Sequence, residues 1–79
     1  MDYKERFIIE YKELKERFLK LENILVKYDA DKLEFQPSCD ISILRSQYEI
    51  MRKYLYILEV RATIEEIDLI GDDNNGVKK

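Results

Sequence analysis

The sequence predicts an all-α protein in which two helices form an antiparallel hairpin, and in which hairpins assemble into a homo-oligomeric helical bundle. In two long stretches the apolar residues recur at alternating steps of four and three, which is the spacing of a helix face. A short segment between them holds the only proline of the chain, where a helix has to stop. A chain of 79 residues buries little surface alone, so a partner is expected to add stability.

The first predicted helix covers about residues 3–29. Most positions between its apolar residues are charged, which is typical of a helix that turns one face to a partner and the other to water. The apolar positions that form the predicted seam are Phe7, Tyr11, Leu14, Phe18, Leu21, Leu25 and Tyr28.

The connector runs from Asp29 to Cys39 and loses the helical spacing. Leu33 and Phe35 stand two residues apart, as in an extended stretch, so we expect both to pack over the end of the hairpin. Helix signals resume after Pro37, and any residue of 38–40 can serve as the N-cap of the next helix. The sequence leaves the choice among Ser38, Cys39 and Asp40 open.

The second predicted helix covers about residues 40–69 and carries two apolar stripes side by side. One stripe faces the first helix and comprises Leu44, Tyr48, Met51, Leu55, Leu58 and Ala62. The other, interrupted by Gln47 and Arg61, is the predicted oligomer interface and comprises Ile43, Ile50, Tyr54, Ile57 and Ile64. Because one neighbouring helix covers only one stripe, the second stripe predicts self-association.

The domain organisation is simple. Residues 1–70 are predicted to form one helical hairpin domain. Residues 71–79 contain both glycines of the chain and several polar residues without helical spacing, so they are predicted to be a disordered tail.

Composition argues against several classes of protein. The chain has no histidine and only one cysteine, Cys39, so neither a zinc site nor a Cys/His catalytic pair is expected, and no cofactor is predicted. The net charge of −3 argues against a protein that coats DNA or RNA. No apolar run approaches the ~20 residues that a membrane span needs, and no signal-peptide pattern begins the chain, so a cytoplasmic protein is expected.

Arginine and tyrosine alternate along the second helix, in a pattern that could bind a nucleotide between helices. Arginine forks suit phosphate, and tyrosine rings suit the stacking of bases. The same residues are also ordinary at the rim of a helical bundle, where each buries an apolar body and keeps a polar tip in water. The candidate ligand-binding residues are Arg45, Tyr48, Arg52, Tyr54 and Arg61.

Over about Tyr3 to Ile67, the chain resembles a family of small bacteriophage and prophage proteins named after a gene product of a crAss-like phage. The residues that carry the resemblance are the YKE start, the PSC turn of residues 37–39, and a pattern in the second helix: Gln47, Met51, Tyr54, Leu55, Leu58, Arg61 and Ala62. Asp40 departs from the proline that members of the family often have, and either residue suits a helix start. The resemblance implies a phage origin, a life in the host bacterial cytoplasm and no enzymatic role.

The predicted architecture is also similar to the helical-hairpin sponges of phages, which act against host defence by binding a signalling nucleotide between subunits. This likeness implies a non-enzymatic anti-defence protein that sequesters a cyclic-nucleotide-type immune signal at oligomer interfaces. The alternative is a helical interaction module that captures a host or phage protein through its apolar stripe. Under that alternative, Ile50, Tyr54 and Ile57 should matter more than the arginines.

Overall fold

The computed structural model describes residues 2–69, which form two α-helices and no strand. Helix α1 spans Tyr3–Asp29 and helix α2 spans Ile41–Glu65. The helices are antiparallel, because the start of α1 contacts the end of α2 through Tyr3 and Glu65, and the other ends meet through Asp29 and Arg45. The predicted all-α hairpin is therefore confirmed for these residues, while the tail predicted for residues 71–79 lies outside them.

Each helix begins with an aspartate cap. Asp2 accepts a hydrogen bond from the Glu5 backbone N–H at 2.8 Å, and the Glu5 carboxylate accepts one in return from the Asp2 N–H at 3.3 Å. Asp40 caps α2 by accepting from the Ser42 N–H at 3.0 Å, which decides the choice that the sequence left open. Hydrogen bonds from Ser42 also lower the pKa of Asp40. Cys39 remains exposed beside this cap.

Helix α2 ends at Glu65, earlier than the predicted end at residue 69. Glu66 adopts the left-handed conformation with a φ of 59°, and the N–H of Ile67 donates to the Ala62 carbonyl at 2.8 Å. These are the features of a Schellman ending. The turn brings Ile67 back into the core, where only 7% of it is exposed. The longer helix was a wrong prediction because the turn at Glu66 lets Ile67 be buried.

The core is a single seam between the two helices, made of two clusters of buried side chains. The cluster nearer the connector contains Phe18, Leu21, Leu25, Met51 and Leu55. The cluster nearer the chain ends contains Phe7, Leu58, Ala62 and Ile67. Leu58 is the most buried of them at 2% exposure, and no described side chain falls below that. The predicted seam is confirmed except at Tyr28, which is 43% exposed at the end of α1.

The connector packs only in part. Leu33 is half-buried, as predicted, but 57% of Phe35 is exposed. The chain bends at Phe35, which interrupts the extended stretch that would lay both side chains on one surface. The expectation that both residues cover the end of the hairpin is therefore wrong for Phe35.

The second stripe of α2, which we call the outer stripe, is open to solvent on this chain. Its five members are Ile43, Ile50, Tyr54, Ile57 and Ile64, and their exposed fractions run from 42% for Tyr54 to 73% for Ile64. The seam thus leaves this surface uncovered, and its role as an oligomer interface stays a prediction. Neither helix of residues 2–69 is long and apolar enough to cross a membrane.

The left-handed conformation at Glu66 gives a test of the helix end. Glycine adopts this conformation without the steric penalty of a side chain, so Glu66→Gly should raise the free energy of unfolding by about 0.5–1 kcal/mol. The matched change Glu13→Gly, on an exposed position inside α1, should lower it by about 1 kcal/mol. Urea denaturation followed by circular dichroism measures both. Equal losses in the two variants would contradict the helix end described here.

Candidate functional site

The five predicted ligand-binding residues do not come together on one chain. Arg45, Tyr48 and Arg52 lie on one side of α2, which we call the Arg52 flank. Tyr54 and Arg61 lie on the other side, the Arg61 flank. Nine positions separate Arg45 from Tyr54, which at about 100° per residue places them about 180° apart around the helix. A site that uses all five therefore requires more than one chain.

On the Arg52 flank, two of the predicted residues hold the hairpin together. Arg45 donates to both carboxylate oxygens of Asp29, and this guanidinium lowers the pKa of Asp29. The ring of Tyr48 stacks on Phe18, with centroids 5.0 Å apart and an angle of 13° between the planes. The Tyr48 hydroxyl donates to Glu22 at 3.1 Å. The packing interpretation, which the sequence left open, therefore accounts for both residues.

The Arg52 flank offers only small grooves on a single chain, and one of the two disfavours an anion. Its two grooves have volumes of about 200 and 210 Å³, below the ~300 Å³ at which ordinary ligand pockets begin. The cations that line them are Lys15, Arg45 and Arg52, and the carboxylates are Glu22, Asp29, Glu49 and Glu59. In the groove at Arg45 three carboxylates outnumber the one cation, so a phosphate there would meet net repulsion. In the groove at Arg52 two cations face the single carboxylate of Glu59.

On the Arg61 flank, the guanidinium of Arg61 lies over an aromatic ring and among polar atoms. Its central carbon is 4.9 Å from the centre of the Phe7 ring, which is a cation–π distance. Arg61 also donates to the Tyr3 hydroxyl, and its Nε lies 3.4 Å from the Glu65 carboxylate. The Tyr3 hydroxyl in turn donates to Glu65 at 3.0 Å. The guanidinium is therefore oriented by contacts with both helices.

A depression of about 330 Å³ lies at this place, which reaches the size of ordinary ligand pockets. It is lined by Tyr3, Arg6, Phe7, Glu10 and Arg61, and we call it the Arg61 depression. Two arginines and the exposed ring of Tyr3 give it the groups that bind a phosphate and stack on a base, while Phe7 is buried under Arg61. Among these five residues two cations face one carboxylate, and Glu65 pairs with Arg61 beside them.

The remaining predicted residue, Tyr54, lies beside this depression and belongs to the outer stripe. Its hydroxyl donates to Glu10, and this hydrogen bond raises the pKa of Tyr54. The Glu10 carboxylate thus accepts a hydrogen bond from an uncharged hydroxyl group.

Sequence reasoning missed the residues that α1 contributes, namely Tyr3, Arg6 and Glu10. A usable signal was present. In an antiparallel hairpin the start of α1 lies opposite the end of α2, so Arg61 had to face the first turns of α1. Phe7 was assigned to the seam only, although Arg61 also lies over the face of its ring.

Tyrosine hydroxyls join the two helices along both flanks. Each donates to a glutamate on the opposite helix, and the four pairs are Tyr3 with Glu65, Tyr11 with Glu59, Tyr48 with Glu22 and Tyr54 with Glu10.

No group of three or more His, Cys, Asp or Glu side chains in residues 2–69 is placed to hold a metal ion.

The pair of Tyr11 and Glu59, 2.6 Å apart, predicts how the hairpin responds to alkali. Burial, and then the hydrogen bond to Glu59, raise the pKa of Tyr11 far above its ordinary value of 10.0. A pKa raised by folding contributes stability below the unfolded value and loses it as the pH rises, so the free energy of unfolding should fall above about pH 10. Tyr11→Phe should make this fall shallower, whereas Tyr56→Phe, at a 66% exposed ring, should not. Chemical denaturation between pH 8 and 11 measures it, and identical profiles for Tyr11→Phe and the parent would refute the assignment.

Comparison with known proteins places the chain in a family. No curated protein and no solved structure matches it. The sequence model of the family described as Sequestin matches residues 1–64, which cover α1, the connector and all but the last residue of α2. Both helices that line the Arg61 depression therefore fall within the matched region. The chain belongs to the Sequestin family.

Proposed function

We propose that this protein is a non-enzymatic sequestering protein, which binds a small signalling molecule and withholds it without changing it. The family name Sequestin is consistent with a sequestering role. In its finer form the proposal is a phage-encoded anti-defence protein in the host bacterial cytoplasm. Its ligand is a cyclic-nucleotide-type immune signalling molecule, bound at the interfaces of a homo-oligomer.

The Arg61 depression is the observation that carries this proposal. Arg6 and Arg61 line it together, and each guanidinium can form two parallel hydrogen bonds with a phosphate. Tyr3 supplies a ring that is 47% exposed at the same place, while the Phe7 ring is buried at 5% exposure beneath the Arg61 guanidinium. The combination of two cations and one exposed aromatic ring suits a molecule that has phosphates and bases.

The exposed outer stripe supports the homo-oligomer in the proposal. A depression on a hairpin surface leaves much of a ligand in water, whereas ligand pockets bury most of the ligand surface. Arg61 stands in the register of the outer stripe, between Ile57 and Ile64, so a chain that covers the stripe also covers the depression. A second copy is the simplest such cover.

The proposal assigns different roles to the five candidate residues. Arg61 contacts the ligand, and Tyr54 lies at its edge and in the interface. Arg45 and Tyr48 serve the hairpin itself through Asp29, Glu22 and Phe18. Arg52 joins a binding site only where the Arg52 flank of one copy meets another copy.

The alternative of protein capture has one observation in its favour, the outer stripe itself. Four isoleucines more than half exposed on one helix face would suit an amphipathic partner helix. That alternative requires Ile50 and Ile57 but neither Arg6 nor Arg61, so substitution of the two arginines distinguishes the two functions.

Substitution of the two arginines tests the proposal. The purified protein is mixed with a panel of cyclic dinucleotides, cyclic trinucleotides and ADP-ribose derivatives, and binding is measured by native mass spectrometry and calorimetry. We expect a panel member to be recovered unchanged from the complex. Arg61→Ala and Arg6→Ala should each weaken its binding by about 10-fold or more, because each removes charged hydrogen bonds to phosphate.

The matched control is Arg17→Ala, which removes an exposed arginine from α1 outside the depression. It should leave the affinity within about 2-fold of the parent, and Arg6→Ala and Arg17→Ala should keep the parent oligomer mass. If the parent binds no member of the panel, the ligand class is wrong. If it binds one and Arg61→Ala binds it equally well, the assigned site is wrong.

A further inference from the structure

We infer that the outer stripe of α2 pairs with the same stripe of a second copy in an antiparallel two-fold arrangement centred on Tyr54, which sets Gln47 of one copy against Arg61 of the other. The inference concerns the partner and the register of this surface. It follows from the order of residues along the stripe and from their exposure.

The outer stripe is large enough to be an interface. From Ile43 to Ile64 it extends about 30 Å along the helix, at about 1.5 Å per residue. Its five members together expose apolar area on the order of 500 Å², within the range at which a patch on one chain marks an interaction surface. Side chains at its borders would bring each copy toward the roughly 800 Å² that a stable dimer buries per partner.

The stripe reads nearly the same in both directions from Tyr54. Isoleucines stand four residues before and three after it, at Ile50 and Ile57, and again eleven before and ten after it. The two polar interruptions, Gln47 and Arg61, stand seven residues away on either side. A two-fold axis at Tyr54 therefore brings isoleucine against isoleucine and polar against polar, each pair within about 1.5 Å of the same height.

Such a pattern is what a two-fold interface requires, since both copies present the same surface and that surface must complement itself. The tyrosines of the two copies meet at the axis. Each ring is 42% exposed, while its hydroxyl is already bonded to Glu10 of its own chain, so the ring is the part available for contact.

Charge distinguishes the antiparallel pairing from the parallel one. In a parallel pair Arg61 of one copy would face Arg61 of the other inside the interface, and Gln47 would face Gln47. Two facing cations repel each other and lose hydration. In the antiparallel pair the two Arg61 side chains lie about 20 Å apart, and each has an amide oxygen of Gln47 to accept its N–H groups.

The pairing has a consequence for the Arg61 depression, and this step alone rests on the proposed function. Gln47 of the second copy, with the isoleucines on either side of it, lies over the edge of the depression at Arg61. Each dimer therefore has two equivalent sites, one near each end of the interface between the two α2 helices. The amide adds a donor and an acceptor that can contact a nucleotide base.

Disulfide trapping tests the register in the absence of any ligand. In a Cys39→Ser background, Ile50→Cys and Ile57→Cys are made as separate chains that differ in a mass tag. They are oxidised alone, and again after being refolded together. A disulfide requires Cα atoms within about 7 Å, and the antiparallel register places position 50 near position 57 of the other copy but about 12 Å along the helix from its own equivalent. We expect crosslinks between the two kinds of chain and few within either kind.

Crosslinks within each kind of chain would show the parallel pairing and overturn the inference. A monomer at 100 µM by sedimentation would overturn it as well, and so would a dimer that forms no crosslink in any mixture. All three results concern assembly alone, so they are distinguishable from a failure of ligand binding.

Charge at position 47 gives a second measurement on the otherwise unchanged chain. Gln47→Glu would place a carboxylate against Arg61 of the other copy, twice per dimer, and should tighten the dimer by roughly 10-fold. Gln47→Lys should loosen it by a similar factor. The dissociation constant from sedimentation equilibrium decides between them, and the reverse order of the two variants would contradict the antiparallel register.

Discussion

The narrow seam between two helices is the constraint on which the rest of this structure depends. Each helix can turn only one row of side chains toward a single neighbour, so the described core is thin and Leu58, the best buried of its side chains, still exposes 2%. A hairpin with so small a core gains from every additional contact between its helices. It also leaves the outer stripe of α2 without a neighbour in its own chain.

The hydrogen bonds from tyrosine hydroxyls to glutamates provide such additional contacts between the helices. They stand on both sides of the seam and link the helices near its rim, where an aliphatic side chain would add no hydrogen bond. On the Arg61 flank such a hydrogen bond also positions the Arg61 guanidinium, because the Tyr3 hydroxyl that donates to Glu65 also accepts from Arg61. The same contacts therefore stabilise the hairpin and set the geometry of the candidate site.

The helices and the seam could be predicted because helical spacing is a local property of the sequence, and α1 was predicted from end to end. The end of α2 could not, because glutamate has no particular preference for the left-handed conformation that Glu66 adopts, and its cause, the burial of Ile67, is a tertiary contact. The candidate site was half predicted. Arg61 and Tyr54 stood out on their own helix, whereas Tyr3 and Arg6 join them only through the pairing of distant segments.

The Arg61 depression lies where the first turns of α1 meet the last turn of α2, and helix ends are the parts of a fold that open most readily. Its shape therefore exists only while both ends remain wound, which depends on the capping box at Asp2 and the turn at Glu66. A molecule bound there would clamp the two ends of the described chain together. Fraying of the helix ends would therefore weaken ligand binding, and a bound ligand would suppress the fraying. The ligand would thus stabilise the helix ends, which the free hairpin holds by its own contacts alone.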